Sequence, residues 1–202
     1  MPSSPPASFY LASRSPRRAQ LLDQLGLRFE ILASDFAEQF QPGQTAADHV
    51  LAMARGKAHA AGARSLPVLG ADTEVVLDSQ ILGKPAGREE AIAMLLRLAA
   101  REHVVYSGVA VAHQDRCKTA LSVTTVSFGE ISAAQAAAYW DTGEPSDKAG
   151  GYAIQGVGAM FVKQIRGSYS GVMGLPLFET CELLRSFGVF PLHSSRHTLP
   201  AA

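Results

Sequence analysis

The sequence predicts an α/β fold in which helices cover a central mixed sheet. Short apolar and β-branched runs are interleaved with segments of helical period, yet without the strict strand and helix alternation of a parallel sheet. Two long β-rich runs are joined by a polar turn, the pattern of a large antiparallel hairpin. With 202 residues, 47% of them hydrophobic, the chain is long enough to bury a core as one domain, or at most two small lobes.

The elements follow in order. Residues 8–12 read as a short buried strand. Ser15 and Pro16 then supply an N-cap and a proline at the first helical position. Ala19, Leu21, Leu22 and Leu25 form the apolar face of that helix, and Gly26 stands where a left-handed cap is expected. Residues 29–32 make a second strand, and residues 45–61 have helical spacing at Val50, Leu51, Met53, Ala54 and Ala58. Residues 67–71 form an apolar strand that ends in Asp72, after which residues 74–77 and 80–82 flank Asp78 and Ser79 as a tight hairpin. Residues 88–100 are helical. The long hairpin comprises residues 102–112 and 118–128, with its turn at 113–116. A helix over 132–140 ends at Gly143, residues 150–154 and 159–165 read as further strands, and a last helix runs over 177–187.

Composition excludes several classes. Lys and Arg total 18, as do Asp and Glu, so no long-range field draws the chain to duplex nucleic acid or to an anionic membrane, and any cationic site must be local. Cys117 and Cys181 are too few for a disulfide framework, and the six histidines show no metal-ligand spacing. The first residues lack the basic and apolar regions of a secretory signal, and no apolar run approaches a membrane span. These features fit a cytoplasmic protein.

Three stretches carry chemistry. Leu-Ala-Ser-Arg-Ser-Pro-Arg-Arg, residues 11–18, places Ser13, Ser15, Arg17 and Arg18 around a helix start, where unpaired backbone N–H groups already attract an anion. Arginines in a first turn oppose the helix dipole, so a bound phosphate would offset their placement; the alternative is a solvated surface cluster. In Gly70-Ala71-Asp72-Thr73 a carboxylate follows a buried strand, where it can hold a divalent metal, act as a general base, or simply cap a turn. Lys84 is fixed between Gly83 and Pro85, but Asp78 and Pro85 break the Walker A pattern, and Phe161 breaks the dinucleotide fingerprint begun at Gly156 and Gly158. The glycine-rich run from Asp147 to Gly156 lets backbone approach a ligand, with Gln155 able to read a base edge through its donor and acceptor; equally, it is a glycine-rich connection.

Together these stretches resemble the Maf family of nucleoside triphosphate pyrophosphatases, which is similar to the inosine triphosphate pyrophosphatases. The resemblance rests on Ala12-Ser13-x-Ser15-Pro16-Arg17-Arg18 with Leu21-Leu22, Leu69-Gly70-Ala71-Asp72-Thr73, Leu82-Gly83-Lys84-Pro85, Thr142-Gly143-Glu144-Pro145-x-Asp147-Lys148-Ala149-Gly150, Ile154-Gln155-Gly156, and Gly167-Ser168-Tyr169-x-x-Val172-x-Gly174-Leu175-Pro176-Leu177, in that order over roughly residues 8–187. It implies an elongated fold, one domain over residues 7–190 with two lobes around a substrate cleft, residues 1–6 and 191–202 as flexible ends, and usually a homodimer.

The implied activity is Mg²⁺- or Mn²⁺-dependent cleavage of a nucleoside triphosphate to monophosphate and pyrophosphate. By position, Asp72 matches the proton acceptor, and Glu38 matches an acidic residue near the metal. Arg17, Thr73 and Gln155 match positions linked with substrate choice, and Lys57 and Lys84 match lysines facing the phosphates. Asp147-Lys148-Ala149-Gly150 with Gln155 resembles the branch acting on dTTP and UTP. The alternatives are the 7-methyl-GTP branch and a non-catalytic nucleotide-binding regulator of division or septum formation. One departure is Gly56, which stands where family members often carry glutamate.

Overall fold

The computed structural model describes residues 6–32, 36, 43–62 and 64–191. Strand β1 (Phe9–Leu11) leads into helix α1 (Pro16–Gln24), followed by β2 (Phe29–Ile31), α2 (Ala46–Ala60), β3 (Val68–Leu77), β4 (Gln80–Leu82), α3 (Arg88–Leu98), β5 (Glu102–His113), β6 (Arg116–Phe128), α4 (Ala133–Asp141), β7 (Val162–Arg166), α5 (Tyr169–Met173) and α6 (Leu177–Arg185). Among these strands the order across the sheet is β2-β1-β3-β5-β6-β7, with β4 paired to β3. Strand β1 is parallel to β2 and β3, and the remaining pairs are antiparallel, so the sheet is mixed as the sequence predicts.

The local signals account for the helices and turns. Thr45 caps α2 by accepting from the Asp48 N–H, and Ser132 with Gln135 completes a capping box at α4. Asp78 and Ser79 both have positive φ, as a two-residue hairpin between β3 and β4 requires. The β5–β6 pairing runs to His113 opposite Arg116, so the long hairpin turns on two residues rather than four.

Three expectations are corrected. First, Asp72 does not end a strand: β3 continues to Leu77, because β5 pairs with it from Val68 through Val76. Second, residues 150–154 are not a strand: a 3-10 turn over Ala149–Gly151 takes in the first two, residues 152–154 are irregular, and Gly150 (φ 72°) and Gly151 (φ 67°) hold left-handed conformations that break an extended run. Third, residues 157–161 form a 3-10 turn and the strand begins at Val162, since the Val157 and Gly158 N–H groups are engaged by the Glu144 carboxylate instead of a sheet partner. Helix α5 is an addition, capped by the Ser168 side chain and closed by Gly174.

Packing sorts the sheet residues by alternation. On one face Phe9, Leu11, Leu69, Val109 and Val111 pack with Leu22 of α1 and Leu184 of α6, while Val75, Leu77, Val105, Val126 and Phe128 pack with Leu95 and Leu98 of α3 and Tyr139 of α4. The other face is covered by α2 through small residues, Ala54 and Ala58 against Val68 and Ala110. The approach is close: a Cβ on Gly70 would stand 2.2 Å from the Ala54 carbonyl oxygen, and one on Gly108 would stand 2.5 Å from that of Val50. Glycine is required at both positions for α2 to lie flat on the sheet. No helix of the described residues is long and apolar enough to cross a membrane.

The edge of β3 opposite β5 is shared. There β1 pairs with Val68 and Leu69, and β4 pairs with Val75, Val76 and Leu77. Among the described strands none pairs with Gly70 to Glu74 on that edge, and β1 leaves the sheet just there to enter α1. A crevice beside the carboxyl end of a parallel strand is the usual ligand position in α/β sheets.

Candidate active site

The crevice is an open cleft of about 340 Å³, continuous through shared wall residues with a second hollow of about 480 Å³ over the start of α1. It brings together Ser15, Arg17, Arg18, Lys57, Asp72, Thr73, Lys84 and Gln155, drawn from α1, α2, β3, the segment after β4 and the glycine-rich turns. Ser13 lines the adjoining hollow. Glu38 lies outside the described residues. The cleft wall carries five cationic side chains against three carboxylates; the local positive balance lies in a chain of zero formal net charge, as the composition anticipated.

At the centre the Lys57 ammonium lies 2.6 Å from Asp72 Oδ1, with the two side chains only 13% and 9% exposed. The close seating of α2 makes this contact possible. Asp72 and Glu74 share one face of β3 by alternation, and α2 brings His49 to the same place, so that one ligand atom from each of the three lies within 4.8 Å of the others. His49 Nε2 and Glu74 Oε1 are 3.8 Å apart. Two carboxylates suit a hard divalent cation and an imidazole suits its transition-metal counterparts, so the donor set fits a metal, with Lys57 competing for one Asp72 oxygen.

The start of α1 is braced rather than open on all sides. Ser13 Oγ accepts from the Ser15 N–H and from Arg18, both at 3.2 Å, and Arg18 Nε donates to the Gly174 carbonyl at 2.8 Å. Arg18 therefore ties the turn before α1 to the end of α5. Arg17 reaches Asp147 at 3.0 Å across the mouth of the cleft, and Lys148 also bonds Asp147 and donates to the Glu144 carbonyl at 2.9 Å. Partial burial works against the Asp147 charge, but the hydrogen bonds and charges of Lys148 and Arg17 outweigh it and hold the carboxyl below its ordinary range.

The far wall is the turn carrying Gln155. Glu144 accepts from the Tyr139 hydroxyl at 2.5 Å and from the Val157 and Gly158 N–H groups at 3.0 and 2.9 Å, while Tyr139 accepts from the Ala153 N–H at 3.0 Å. This network fixes residues 153–158 and leaves Gln155 exposed at the cleft wall. Tyr152 lines the cleft behind it and bonds the buried His103 at 2.8 Å, whereas Tyr169 is 47% exposed at the surface.

Several of these partners escape a reading of motifs. Glu74 is separated from Asp72 by one residue, and strand alternation alone would have put the two on one face. His49 is hidden because a spacing rule for histidines looks within one segment, whereas its acidic neighbours come from another. The ring of Phe36 explains the glycine at 56: a Cβ there would stand 2.1 Å from the ring's Cζ, so the phenylalanine fills the space a longer residue would enter.

A mixed sheet with a crevice at a parallel strand's carboxyl end, cations around a helix start, and a carboxylate facing them define an α/β protein with a cleft suited to a phosphorylated ligand. The chain belongs to the Maf family: the family model described as "Maf-like protein" matches residues 8–187. It is 53% identical over 184 residues to the dTTP/UTP pyrophosphatase of Methylobacillus flagellatus, covering 89% of this chain and 92% of the relative. It is 51% identical over 189 residues to the protein of the same name from Saccharophagus degradans, covering 91% and 90%. Among solved structures, a HAM1 protein from Coxiella burnetii is similar over 61% of this chain and 73% of its own, with 16% identity and a TM-score of 0.42.

Proposed function

We propose that the chain is a nucleoside triphosphate pyrophosphatase that hydrolyses dTTP and UTP, with modified pyrimidine nucleotides as further substrates, to the monophosphate and pyrophosphate. The observation that carries the reading is the buried Lys57–Asp72 pair at the floor of a cleft whose rim is cationic. A protein that merely held a nucleotide would gain nothing from a carboxylate facing phosphates, where it repels the ligand unless a metal or proton intervenes. The relatives named dTTP/UTP pyrophosphatase, about half identical over nine-tenths of the chain, support the substrate class.

In this reading the triphosphate lies over the start of α1, with the backbone N–H groups beside Ser13 and Ser15 and the side chains of Arg17, Arg18, Lys57 and Lys84 neutralising the departing pyrophosphate. Asp72 accepts a proton from the water that attacks the α-phosphorus; the bond from that phosphorus to the bridging oxygen breaks, and pyrophosphate leaves. Lys57 orients the carboxylate. Asp72 and Glu74, with His49, would hold Mg²⁺ or Mn²⁺, and the family position of Glu38 adds a carboxylate; when bound, the cation supplies charge neutralisation at the phosphates. Arg17, Thr73 and Gln155 select the nucleotide. A homodimer in the cytoplasm belongs to the same reading.

The test is pyrophosphate and monophosphate release from dTTP, UTP, CTP, GTP and 7-methyl-GTP with Mg²⁺ or Mn²⁺, with Asp72→Asn in parallel. Cleavage of dTTP and UTP that Asp72→Asn abolishes is the expected result. Preference for 7-methyl-GTP would reassign the substrate, and binding without turnover would make the chain a nucleotide-binding regulator.

A further inference from the structure

Ser107 on β5 stands directly opposite Thr73 on β3 and is 1% exposed. Its Oγ lies 2.7 Å from the Gly171 carbonyl oxygen and 2.9 Å from Thr73 Oγ1. Both are hydrogen-bond distances, and a serine hydroxyl has one proton. A carbonyl oxygen cannot donate, so the Ser107 proton occupies the 2.7 Å contact; otherwise two sets of lone pairs would face each other there. The contact with Thr73 must then take its proton from Thr73. The Gly174 carbonyl, 3.4 Å from Thr73 Oγ1, can likewise only accept. The single proton of Thr73 is thus committed to protein oxygens, and the hydroxyl offers lone pairs to the cleft.

We infer that Ser107 is a specificity-positioning residue: by fixing Thr73 as an acceptor, it makes the cleft demand a donor from the ligand at that point, the N3–H of a uracil or thymine ring. The inference rests on the pyrophosphatase reading above and adds to it a hydrogen-bond polarity and the buried residue that sets it. Cytosine carries a lone pair at N3 and meets Thr73 acceptor to acceptor, leaving both groups unsatisfied. A site built to pair a particular polar group rejects a ligand that lacks it far more strongly than shape alone does. Gln155, with an NH₂ and a carbonyl on one exposed amide, can serve the ring carbonyls beside N3. Removing the Ser107 hydroxyl lets the Thr73 O–H rotate and donate, which relieves the conflict with cytosine.

The experiment compares kcat/KM for dTTP, UTP and CTP in the unmodified protein, Ser107→Ala and Thr73→Val, with melting temperatures recorded for each. The unmodified protein is expected to favour UTP over CTP. In Ser107→Ala that ratio should shrink by about tenfold through both a lower UTP value and a higher CTP value, and Thr73→Val should lose UTP activity more than CTP activity. Loss of all three substrates by one common factor in Ser107→Ala would make the serine a support of the fold alone and overturn the inference. Equal cleavage of UTP and CTP by the unmodified protein would overturn it while leaving the pyrophosphatase reading intact. Failure to cleave any uracil or thymine nucleotide would remove that reading, and this inference with it.

Discussion

Lys57 on α2 and Asp72 on β3 form an ion pair of 2.6 Å at the floor of the cleft, with both side chains largely buried. A buried pair is costly to leave half-made, because the surviving charge loses its partner and its water together. Lys57→Met should therefore destabilise the protein by about 3 kcal/mol and also reduce turnover, and denaturant unfolding read beside pyrophosphate release separates the two effects. An unchanged unfolding midpoint would show that Asp72 finds another partner.

Asp72→Asn removes the proposed proton acceptor while keeping shape and a hydrogen-bonding oxygen. General-base catalysis accounts for about 10²- to 10⁴-fold in rate, so kcat should fall by about that much. Nucleotide affinity, read by calorimetry without divalent cation, should hold or rise, since one negative charge facing the phosphates is gone. A fall in affinity with kcat preserved would place Asp72 in binding.

Much of this arrangement is legible in the sequence because it is local. The proline that opens α1 and the turn at Asp78 and Ser79 are set by a few adjacent residues and stand where the sequence puts them. So do the two long strands β5 and β6, though their turn is shorter than expected and Ser15 opens α1 without a side-chain cap bond. What is not legible depends on partners far along the chain. The sequence ends a strand at Asp72, yet β3 continues because β5, more than thirty residues on, pairs with it. Residues 150–154 read as a strand, but two left-handed glycines break it, and the Glu144 carboxylate holds Val157 and Gly158 in a turn where the sequence expects the next strand. Thr73 is visible as a candidate, while Ser107, Glu74 and His49 become so only when β5 and α2 are laid beside β3.

Glu144 offers a sharper contrast of fold with site. Its carboxylate accepts from Tyr139, Val157 and Gly158, and, although desolvation opposes its charge, the Tyr139 hydrogen bond, those two N–H groups and the charge of Lys148 hold it below the ordinary carboxylate range. Glu144→Ala leaves those donors without their acceptor, at a cost of about 2 kcal/mol. Because the same bonds fix the turn bearing Gln155, KM for UTP should rise more than kcat falls. A change in stability with unaltered KM would show that the turn holds its shape without the anchor.

Gly70 tests the seating of α2. An alanine there places its Cβ 2.2 Å from the Ala54 carbonyl oxygen, a backbone atom that cannot step aside as a side chain would. The helix must lift, at about 1 to 3 kcal/mol for an overpacked contact, and Lys57 must lift with it. Gly70→Ala should lower both the melting temperature and turnover, whereas Ala→Gly changes on the exposed face of α2 would lower stability alone. Full activity in Gly70→Ala would mean that the Lys57–Asp72 contact does not depend on this close approach.

His103 sets the acid limit. It is 2% exposed, packed edge-on against Phe128 and Tyr152, and bonded to the Tyr152 hydroxyl. Burial lowers its pKa from 6.5 to about 4, so the fold carries it neutral while the unfolded chain takes up a proton below pH 6.5. Between pH 6.5 and about 4 the unfolded state therefore binds more protons, and stability declines as pH falls through that window. A difference of this size amounts to about 3 kcal/mol once pH is below both values. His103→Gln keeps a polar group for Tyr152 and removes the titration, so it should be less stable at pH 7 yet show a flatter dependence of unfolding free energy between pH 6.5 and 4. An identical slope in the two proteins would show that His103 does not carry the acid sensitivity of this window; Asp147 and Glu144, held below ordinary values of 3.8 and 4.5, lose their stabilising bonds only at lower pH.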